Sequence, residues 1–336
     1  MKQPTLSVIV PTYNAAEWLP QTLANLRDAI AVAAWDDVEI IVVDDGSTDD
    51  TAAVLNADAG TPSVTVVRQD NSGRFRAREA GLQHAQGDYV LFIDSRVHAH
   101  RQSLSFVAQQ LLDHPDRRVW NGHVQTAEGS SLFSNFWDGI TFLAWRRYLR
   151  APKLTSYTLA DYDYYPKGTT FFMAPREWLL EACDGFESSY GDLRNANDDT
   201  LLIRPIAARS RIYLSPEFSC TYFPRDSARR FLSHSFHRGT VFVDGYYRPG
   251  TRFYRPLQAI IVASPLAAIL ALRRPVMAAA FTASGSIVLV GAARLAGVPR
   301  RNARSLGMLA PLFAISYGCG IARGLLLRNR HEGCSK

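Results

Sequence analysis

Residues 38–47 read VEIIVVDDGS, an apolar and β-branched run that ends in two adjacent aspartates. A short run of this kind, bounded by turn residues, is typical of a strand buried on both faces of a sheet. Similar runs occupy residues 6–10 (LSVIV), 63–69 (SVTVVRQ) and 88–94 (DYVLFID). The segments between them have helical periodicity and helix-starting residues. We therefore expect an α/β fold whose mostly parallel, Rossmann-like sheet carries helices on both faces.

Polar residues stand at the ends of these strands, in the segments PTYN (11–14), DDGS (44–47) and DSR (94–96). The carboxyl ends of parallel strands meet at one edge of a sheet, and ligands bind at that edge. We therefore expect a binding site there. Farther along, residues 168–186 predict a strand, a turn and a short helix, and residues 195–208 predict a loop that runs into a helix.

The net charge of +6 conceals an asymmetry between two parts of the 336-residue chain. Residues 251–336 carry a balance of +11, whereas residues 1–250 carry −5. An acidic body with a basic tail does not fit a nucleic-acid-binding protein, and it favours a soluble domain attached to an anionic membrane surface. The cysteines are widely separated and form no CxxC pair, which indicates neither a zinc knuckle nor a disulfide framework.

The tail contains three apolar segments, at residues 257–272, 276–293 and 305–327. Arginines lie in the links and are nearly absent from the apolar runs, which favours membrane association over a soluble helical subdomain. A hydrophobic hairpin with one interfacial helix fits as well as three spans. The N-terminus enters a strand pattern without a signal peptide, so we expect the catalytic part at the cytoplasmic face of the cell membrane.

Three segments carry a family resemblance: VIVPTYNAAEWLPQTLANL, EIIVVDDGSTDDT and NSGRFRAREAGLQHAQGDYVLFID. Together they resemble the start of a family 2 glycosyltransferase with the GT-A fold, closely over residues 5–100 and loosely over residues 168–206. The stretch FHRGTVFVDGYYRPGTRFYRP is similar to membrane-associated members of the exopolysaccharide and cell-envelope type. The resemblance implies a nucleotide-sugar half over about residues 1–100, an acceptor half over about 101–250, and membrane-associated helices over 251–336.

The resemblance also implies a donor site that binds the nucleoside. The residues assigned to it are Pro11, Thr12, Tyr13, Asp44, Asp45 and Ser47. Tyr13 is expected to pack against the base, and Asp45 to accept a hydrogen bond from a uracil-type N–H, because an ionised carboxylate is an acceptor only. The DDGS sequence also suits a helix N-cap, and capping can coexist with binding.

Arg78 matches the arginine of the family's Ala-Arg-Asn element and is expected to bind the donor diphosphate. Helix periodicity puts Arg74 on the same face and Arg76 elsewhere. The other interpretation of these arginines is a solvated basic helix face.

Asp94 matches the first residue of the family's Asp-x-Asp metal motif, and Arg96 stands in the place of the second aspartate. Three accounts compete. Asp94 binds Mg²⁺ or Mn²⁺ with water and diphosphate, which is our expectation; Arg96 itself neutralises the diphosphate with little or no metal; or the site is inactive. His237 is the expected distal metal ligand, with His234 near it. His98 and His100 are further candidates, although a lone histidine is more often only a surface residue.

NDDTLL (197–202) resembles the family's Glu-Asp-x-x-Leu element. Asp199 is the expected catalytic base, which deprotonates the acceptor hydroxyl, and Asp198 is the reserve. Helix capping is again the other interpretation. The strand in GTTFFMAP (168–175) is expected to form the sheet edge beneath the acceptor.

These features predict an inverting glycosyltransferase of hexosyltransferase type that uses a nucleotide sugar, with a UDP-sugar as the default donor. The acceptor is expected to be lipid-linked or a cell-envelope or exopolysaccharide glycan. Single addition is expected because the processive Gln-x-x-Arg-Trp signature is absent. The alternative is a catalytically silent membrane partner that binds nucleotide sugars. A sugar nucleotidyltransferase is disfavoured, since PTYNAAEW lacks the glycine-rich phosphate loop.

Overall fold

A computed structural model describes residues 3–127, 131–224 and 227–334, with side chains up to His331. The strands are β1 (Leu6–Thr12), β2 (Val38–Asp45), β3 (Val64–Gln69), β4 (Tyr89–Ile93), β5 (Val97–Ala99), β6 (Trp120–Asn121), β7 (His123–Thr126), β8 (Thr155–Tyr157), β9 (Phe171–Pro175), β10 (Ile212–Leu214) and β11 (Ser219–Tyr222). The helices are α1 (Leu19–Ala33), α2 (Thr51–Ala57), α3 (Arg74–His84), α4 (Ser103–Asp113), α5 (Leu132–Ala144), α6 (Arg146–Leu149), α7 (Arg176–Asp184), α8 (Asp198–Arg209), α9 (Ala228–Tyr246), α10 (Tyr254–Arg273), α11 (Pro275–Leu295) and α12 (Arg300–Cys334).

The main sheet has the strand order β3-β2-β1-β4-β9-β6-β10-β8 across the described residues. Strands β3, β2, β1 and β4 run parallel, which confirms the expected α/β fold and brings the carboxyl ends of these strands to one edge. Strand β9 runs antiparallel between β4 and β6. The expectation that GTTFFMAP forms the edge of the sheet is therefore wrong. All five side chains of β9 are buried, which is the pattern of an interior strand.

Helices cover both faces of this sheet, as predicted. On one face, Val8 and Val10 of β1 pack with Leu23 of α1 and Leu104 of α4. On the other face, apolar side chains of α3, α7 and α8 pack against alternate residues of the same strands. Strands β1, β2 and β4 are therefore buried on both sides, which explains why their sequences are almost continuously apolar, whereas β3 is an edge strand with exposed positions at Thr65 and Arg68.

A second, smaller sheet has the order β5-β11-β7. Strand β5 follows Asp94 by only a few residues and pairs antiparallel with β11. His98 lies on β5 and His100 follows the strand directly. Both imidazole nitrogens of His100 contact hydroxyl groups, Oγ of Ser219 and Oγ1 of Thr221, each at 2.8 Å. These contacts give His100 a structural place in the small sheet.

The C-terminal helices differ in how they pack. Helices α10, α11 and α12 are each long and apolar enough to cross a membrane. In the most apolar windows of α10 and α11 only 6% of residues are buried, against 39% in α12. Helix α12 packs along α5 and α9, and the cluster that joins them includes Phe136, Phe231 and Leu306. Helices α10 and α11 therefore form an exposed apolar hairpin, while α12 connects it to the body of the protein.

Candidate active site

The ends of β1 and β2 lie side by side at the sheet edge, where Thr12 is the register partner of Asp44. The Asp44 carboxylate accepts a hydrogen bond from Ser47 N at 2.9 Å, and Ser47 Oγ accepts one from Asn14 N at 3.0 Å. Asn14 Oδ1 in turn accepts from Thr48 N at 2.7 Å. Asn14 has a φ of 49°, a left-handed conformation that asparagine adopts more readily than most residues. This residue, which the sequence analysis did not single out, ties the two loops together.

Tyr13 projects from this pair of loops with 44% of its surface exposed, next to the partly buried Pro11. An exposed aromatic ring beside buried acidic groups suits stacking on a planar ligand.

Asp45 is 4% exposed and organises the turn that leads into α3. Its carboxylate accepts three hydrogen bonds from the described residues, from Gln69 Nε2 at 2.7 Å, Ser72 N at 2.8 Å and Gly73 N at 2.9 Å. Gly73 has a φ of +90°, which a side chain would strain. A carboxylate offers about four acceptor positions, so Asp45 keeps capacity for one further donor.

A buried ion-pair cluster joins α3, the end of β4 and α8. Arg78, with a side chain 1% exposed, donates from Nη2 to Asp94 Oδ1 at 2.8 Å and from Nη1 to Asp198 Oδ2. Arg74 donates to the other oxygen of Asp198 at 2.8 Å, and half of its side chain remains exposed. The helical face predicted for Arg74 and Arg78 is thus present. Of the two guanidiniums, only that of Arg74 has a large accessible surface.

Asp198 and Asp199 begin α8 and have different surroundings. Both oxygens of Asp198 are bound by arginines, and burial raises the pKa of its carboxyl although Arg74 opposes the shift. Asp199 Oδ1 accepts from Thr169 N at 3.0 Å and from Thr169 Oγ1 at 2.5 Å. No described residue donates a hydrogen bond to Asp199 Oδ2.

The electrostatics keep Asp199 ionised at neutral pH. Burial alone would raise the pKa of its carboxyl. The positive charges of Arg74, Arg78 and Arg238, together with the bonds from Thr169, lower that pKa well below its usual range. Asp199 therefore has one occupied oxygen, one oxygen without a described donor, and a full negative charge.

Arg96 lies at the rim of the same edge. Its guanidinium carbon is 4.9 Å from the centre of the Trp18 ring, and its carbonyl oxygen accepts from Phe223 N at 3.1 Å. Trp18 precedes α1, so Arg96 connects the loop after β4 to the loop after β1. The residue in the place of the second metal-motif aspartate is a cation stacked on an aromatic ring.

His237 of α9 is partly buried. Burial lowers its pKa to about 4, and Arg74, Arg238 and Arg323 add to the shift, so the imidazole is neutral at pH 7 and able to act as a metal ligand. His234, one turn earlier, packs against the Trp137 ring at 4.8 Å.

The described residues contain no group of three or more His, Cys, Asp or Glu side chains that could hold a metal ion. Asp94 has one oxygen bound to Arg78, and its side chain is 28% exposed. These donors fit a divalent cation only if diphosphate and water complete its shell, which is how Mg²⁺ often binds.

Most of the predicted residues are thus connected through hydrogen bonds and ion pairs along one edge. One group comprises Thr12, Asp44, Ser47 and Asn14; the second comprises Asp94, Arg78, Asp198 and Arg74. Asp199 adjoins the second group because it follows Asp198 in α8. Asp45 adjoins it through the hydrogen bond from Gly73, just before α3. His237 lies near enough to Arg74 for that charge to lower its pKa. The functional assignments of these residues stay predictions.

Comparison with known proteins agrees with this arrangement. Residues 7–133 match the model of glycosyl transferase family 2. An uncharacterized glycosyltransferase of Haemophilus influenzae is 30% identical over 135 residues, which is 40% of this chain and 49% of the relative. The undecaprenyl-phosphate 4-deoxy-4-formamido-L-arabinose transferase of Sodalis glossinidius is 40% identical over 100 residues, 28% of this chain and 30% of that protein. The chain thus spans at most about half of the length of these relatives.

A solved structure extends the similarity to the fold of nearly the whole chain. The mannosyltransferase from Pyrobaculum calidifontis, in complex with GDP-Man and Mn²⁺, superposes with a TM-score of 0.58 at 20% identity and covers 95% of this chain and 87% of its own. The sheet order and the helices on both faces are those expected of a GT-A fold. Residues 7–133 are therefore a glycosyl transferase family 2 region, the chain has the fold of GT-A proteins, and three apolar helices follow.

Proposed function

We propose that the protein is an inverting glycosyltransferase that makes single additions from a nucleotide sugar to a lipid-linked or cell-envelope acceptor. The observation that carries the proposal is the state of Asp199. It is ionised, held from one side by Thr169, and has its second oxygen without a described donor. A carboxylate in this state can take a proton from an acceptor hydroxyl.

The donor lies at the carboxyl edge of the parallel strands, with a UDP-sugar as the default. Tyr13 stacks on the base, and the remaining acceptor position of Asp45 takes a base N–H. Arg74 contacts the diphosphate, because it is the exposed guanidinium of the cluster. This changes the sequence-based prediction for Arg78, which assigned the diphosphate to that residue: its side chain is 1% exposed and bound to two aspartates, so Arg78 positions Asp94 and Asp198 from behind.

Asp94 and His237 would hold a divalent cation together with the diphosphate and water. The Mn²⁺ complex of the Pyrobaculum mannosyltransferase supports a cation in proteins of this fold. A cation at this place would neutralise the charge of the departing nucleoside diphosphate. Arg96 lies close in sequence and supplies further positive charge at the rim.

Chemistry begins when the acceptor hydroxyl approaches the anomeric carbon from the side opposite the diphosphate. Asp199 removes the hydroxyl proton as the new glycosidic bond forms and the bond to the diphosphate breaks, which inverts the anomeric configuration. The low pKa of Asp199 makes it a weak base in the empty site. A dianionic diphosphate beside Arg74 opposes the positive charges that lower this pKa, so donor binding strengthens the base.

The acceptor reaches the site from the membrane. Helices α10 and α11 carry apolar side chains that are exposed along their length, as expected for a lipid-embedded hairpin. The relative from Sodalis glossinidius, which is named for its undecaprenyl-phosphate substrate, supports a lipid-linked acceptor. With the excess of arginines around these helices, we place the catalytic domain at the cytoplasmic face of the cell membrane.

The test is the turnover of Asp199→Asn in lipid nanodiscs, with undecaprenyl phosphate as acceptor and a panel of UDP-, GDP- and dTDP-sugars. We expect release of nucleoside diphosphate to fall by a factor of about 100 to 10,000. Nucleotide binding and the melting temperature are expected to remain near the wild-type values. The matched control is Asp184→Asn, an exposed aspartate at the end of α7.

Normal turnover by Asp199→Asn would show that this residue is not the base. A wild-type protein that binds nucleotide sugar and never turns it over would favour the silent membrane partner. An NMR determination of the product's anomeric configuration tests inversion separately.

A further inference from the structure

Helices α9 and α12 meet at an unusually close backbone contact. A Cβ atom on Gly239 would lie 2.2 Å from the Tyr317 carbonyl oxygen, and one on Gly320 would lie 2.0 Å from the Phe236 carbonyl oxygen. Thr240 Oγ1 also donates to the Gly320 carbonyl oxygen at 3.2 Å. Only glycine permits this approach, so the contact fixes one helix relative to the other.

Two arginines lie at this contact, Arg238 on α9 and Arg323 on α12. Both are exposed. The guanidinium carbon of Arg323 lies 5.6 Å from the centre of the Phe236 ring, which places it beside the same turn of α9 as Arg238. Neither side chain forms an ion pair with a described carboxylate.

One of the guanidiniums that act on Asp199 forms no ion pair with a described carboxylate. Arg74 and Arg78 are paired with Asp198 and Asp94. Arg238 acts on Asp199 as well, since its positive charge contributes to the low pKa of that carboxyl. Arg238 and Arg323 both contribute to the low pKa of His237, so both lie beside that part of α9. Neither has a described carboxylate within ion-pair distance, and the negative charges that they face at longer range are Asp199 for Arg238 and Asp192 for Arg323.

An exposed apolar side chain of a candidate membrane helix lies near Arg323. Leu326, one turn beyond Arg323 on α12, is 61% exposed. A ligand that suits this place carries an anionic group for the arginines and a hydrocarbon chain for the helix face. Guanidinium groups match phosphate oxygens in geometry and charge.

We propose that Arg238 and Arg323 form a binding site for the phosphate of the lipid-linked acceptor, between the catalytic edge and α12. The proposal rests on the proposed function and specifies its acceptor as a lipid phosphate. The phosphate is held by two charge-assisted contacts, one from each helix, while the hydrocarbon chain lies along α12. The bound phosphate also opposes the charge of Arg238 on Asp199, so that arrival of the acceptor strengthens the base.

The test measures lipid binding by the full chain in phosphatidylcholine nanodiscs that contain a polyprenyl phosphate, the matching polyprenol, or phosphatidylglycerol. Wild-type protein is expected to bind the polyprenyl phosphate in preference to the other two lipids. Arg238→Gln and Arg323→Gln are each expected to weaken this binding about tenfold. Arg323→Lys, which keeps the charge, is expected to retain most of it.

Matched controls come from the same two helices. Arg230→Gln on α9 and Arg330→Gln on α12 remove exposed arginines away from the contact and are expected to bind like wild type. Equal binding of polyprenol, equal binding of phosphatidylglycerol, or an equal loss in the control variants would overturn the proposal. Sugar transfer from the nucleotide-sugar panel to the polyprenyl phosphate is measured in parallel, because lipid binding without transfer counts against the proposed glycosyltransferase activity and not against the phosphate site.

Discussion

Replacing Arg78 by methionine is expected to destabilise the protein by about 3 kcal/mol. The Arg78 side chain is 1% exposed and contacts both Asp94 and Asp198. Removing one partner of a buried ion pair costs about 3–5 kcal/mol, because the remaining charge is left without compensation. The lower end applies here, since Arg74 still binds Asp198 at 2.8 Å and Asp94 is 28% exposed and reaches water.

The measurement is thermal unfolding in nanodiscs, followed by tryptophan fluorescence. A loss of this size corresponds to a fall in melting temperature of roughly 6–12 °C. Arg76→Met is the matched control on α3, because Arg76 pairs with Glu79 at the surface and has a side chain 48% exposed. Its loss is expected to cost at most about 1 kcal/mol. The double variant Arg78→Met, Asp198→Asn should recover part of the stability.

The reasoning would be refuted if Arg78→Met melted within about 2 °C of the wild type, or if the surface variant Arg76→Met lost as much. Either result would mean that the arginine cluster behind the site is solvated and does not fix Asp94 and Asp198.

Three further predictions concern other parts of the structure. Gly239→Ala is expected to destabilise the fold by about 1–3 kcal/mol, because its Cβ would lie 2.2 Å from the Tyr317 carbonyl oxygen. Gly318→Ala is the control and should be neutral or stabilising, because a Cβ there meets no atom within 4 Å. Equal melting temperatures of the two variants would contradict the close contact. The free energy of unfolding should fall by up to about 3 kcal/mol as the pH drops from about 6.5 towards 4. The cause is His237, which binds a proton in the unfolded state over this range but not in the folded state, where its pKa is about 4. His237→Gln should flatten this part of the pH profile, and an unchanged slope would count against the pKa shift. Asp45→Asn should lower the melting temperature even without nucleotide, since an amide nitrogen cannot accept from the N–H groups that now bind the carboxylate; an unchanged melting temperature would show that this bonding contributes nothing to the fold.

Local patterns were sufficient for the first part of the fold. The strand in residues 38–47 is apolar because it is buried on both faces, so its sequence carries the whole signal. The three apolar C-terminal segments are likewise visible as helices α10, α11 and α12. The sequence also shows Gly73 directly before the helical segment of α3. A glycine at that position permits the observed φ of +90°.

Features that depend on distant partners could not be predicted. Arg78 contacts Asp198 across 120 residues of sequence, and nothing near either residue indicates that the guanidinium is buried behind the site. Strand β9 is as apolar as an interior strand, but its place between β4 and β6 follows from pairings of the whole chain. Asn14 stands in the quoted PTYN segment, and the sequence signal was the residue type itself, since asparagine is enriched in the left-handed conformation that Asn14 adopts.

The packing of α12 is a similar case. Its sequence resembles a membrane span, yet 39% of its most apolar window is buried against the rest of the chain. The glycines at residues 320 and 324 make this possible, and their partners lie on α9 and in the loop before α8. Glycine in an apolar helix indicates close packing, but it does not reveal with which helix.

The central claim is that the carboxyl edge of the parallel strands binds an activated sugar between its nucleoside and diphosphate ends. A structure of the protein with a UDP-sugar and Mn²⁺, determined in nanodiscs, tests it most directly. We predict density for the nucleotide between Tyr13 and Asp45, with the diphosphate at Arg74 and Asp94 and the sugar facing Asp199. Density at any other place on the protein, or a bound nucleotide whose sugar points away from Asp199, would contradict the account.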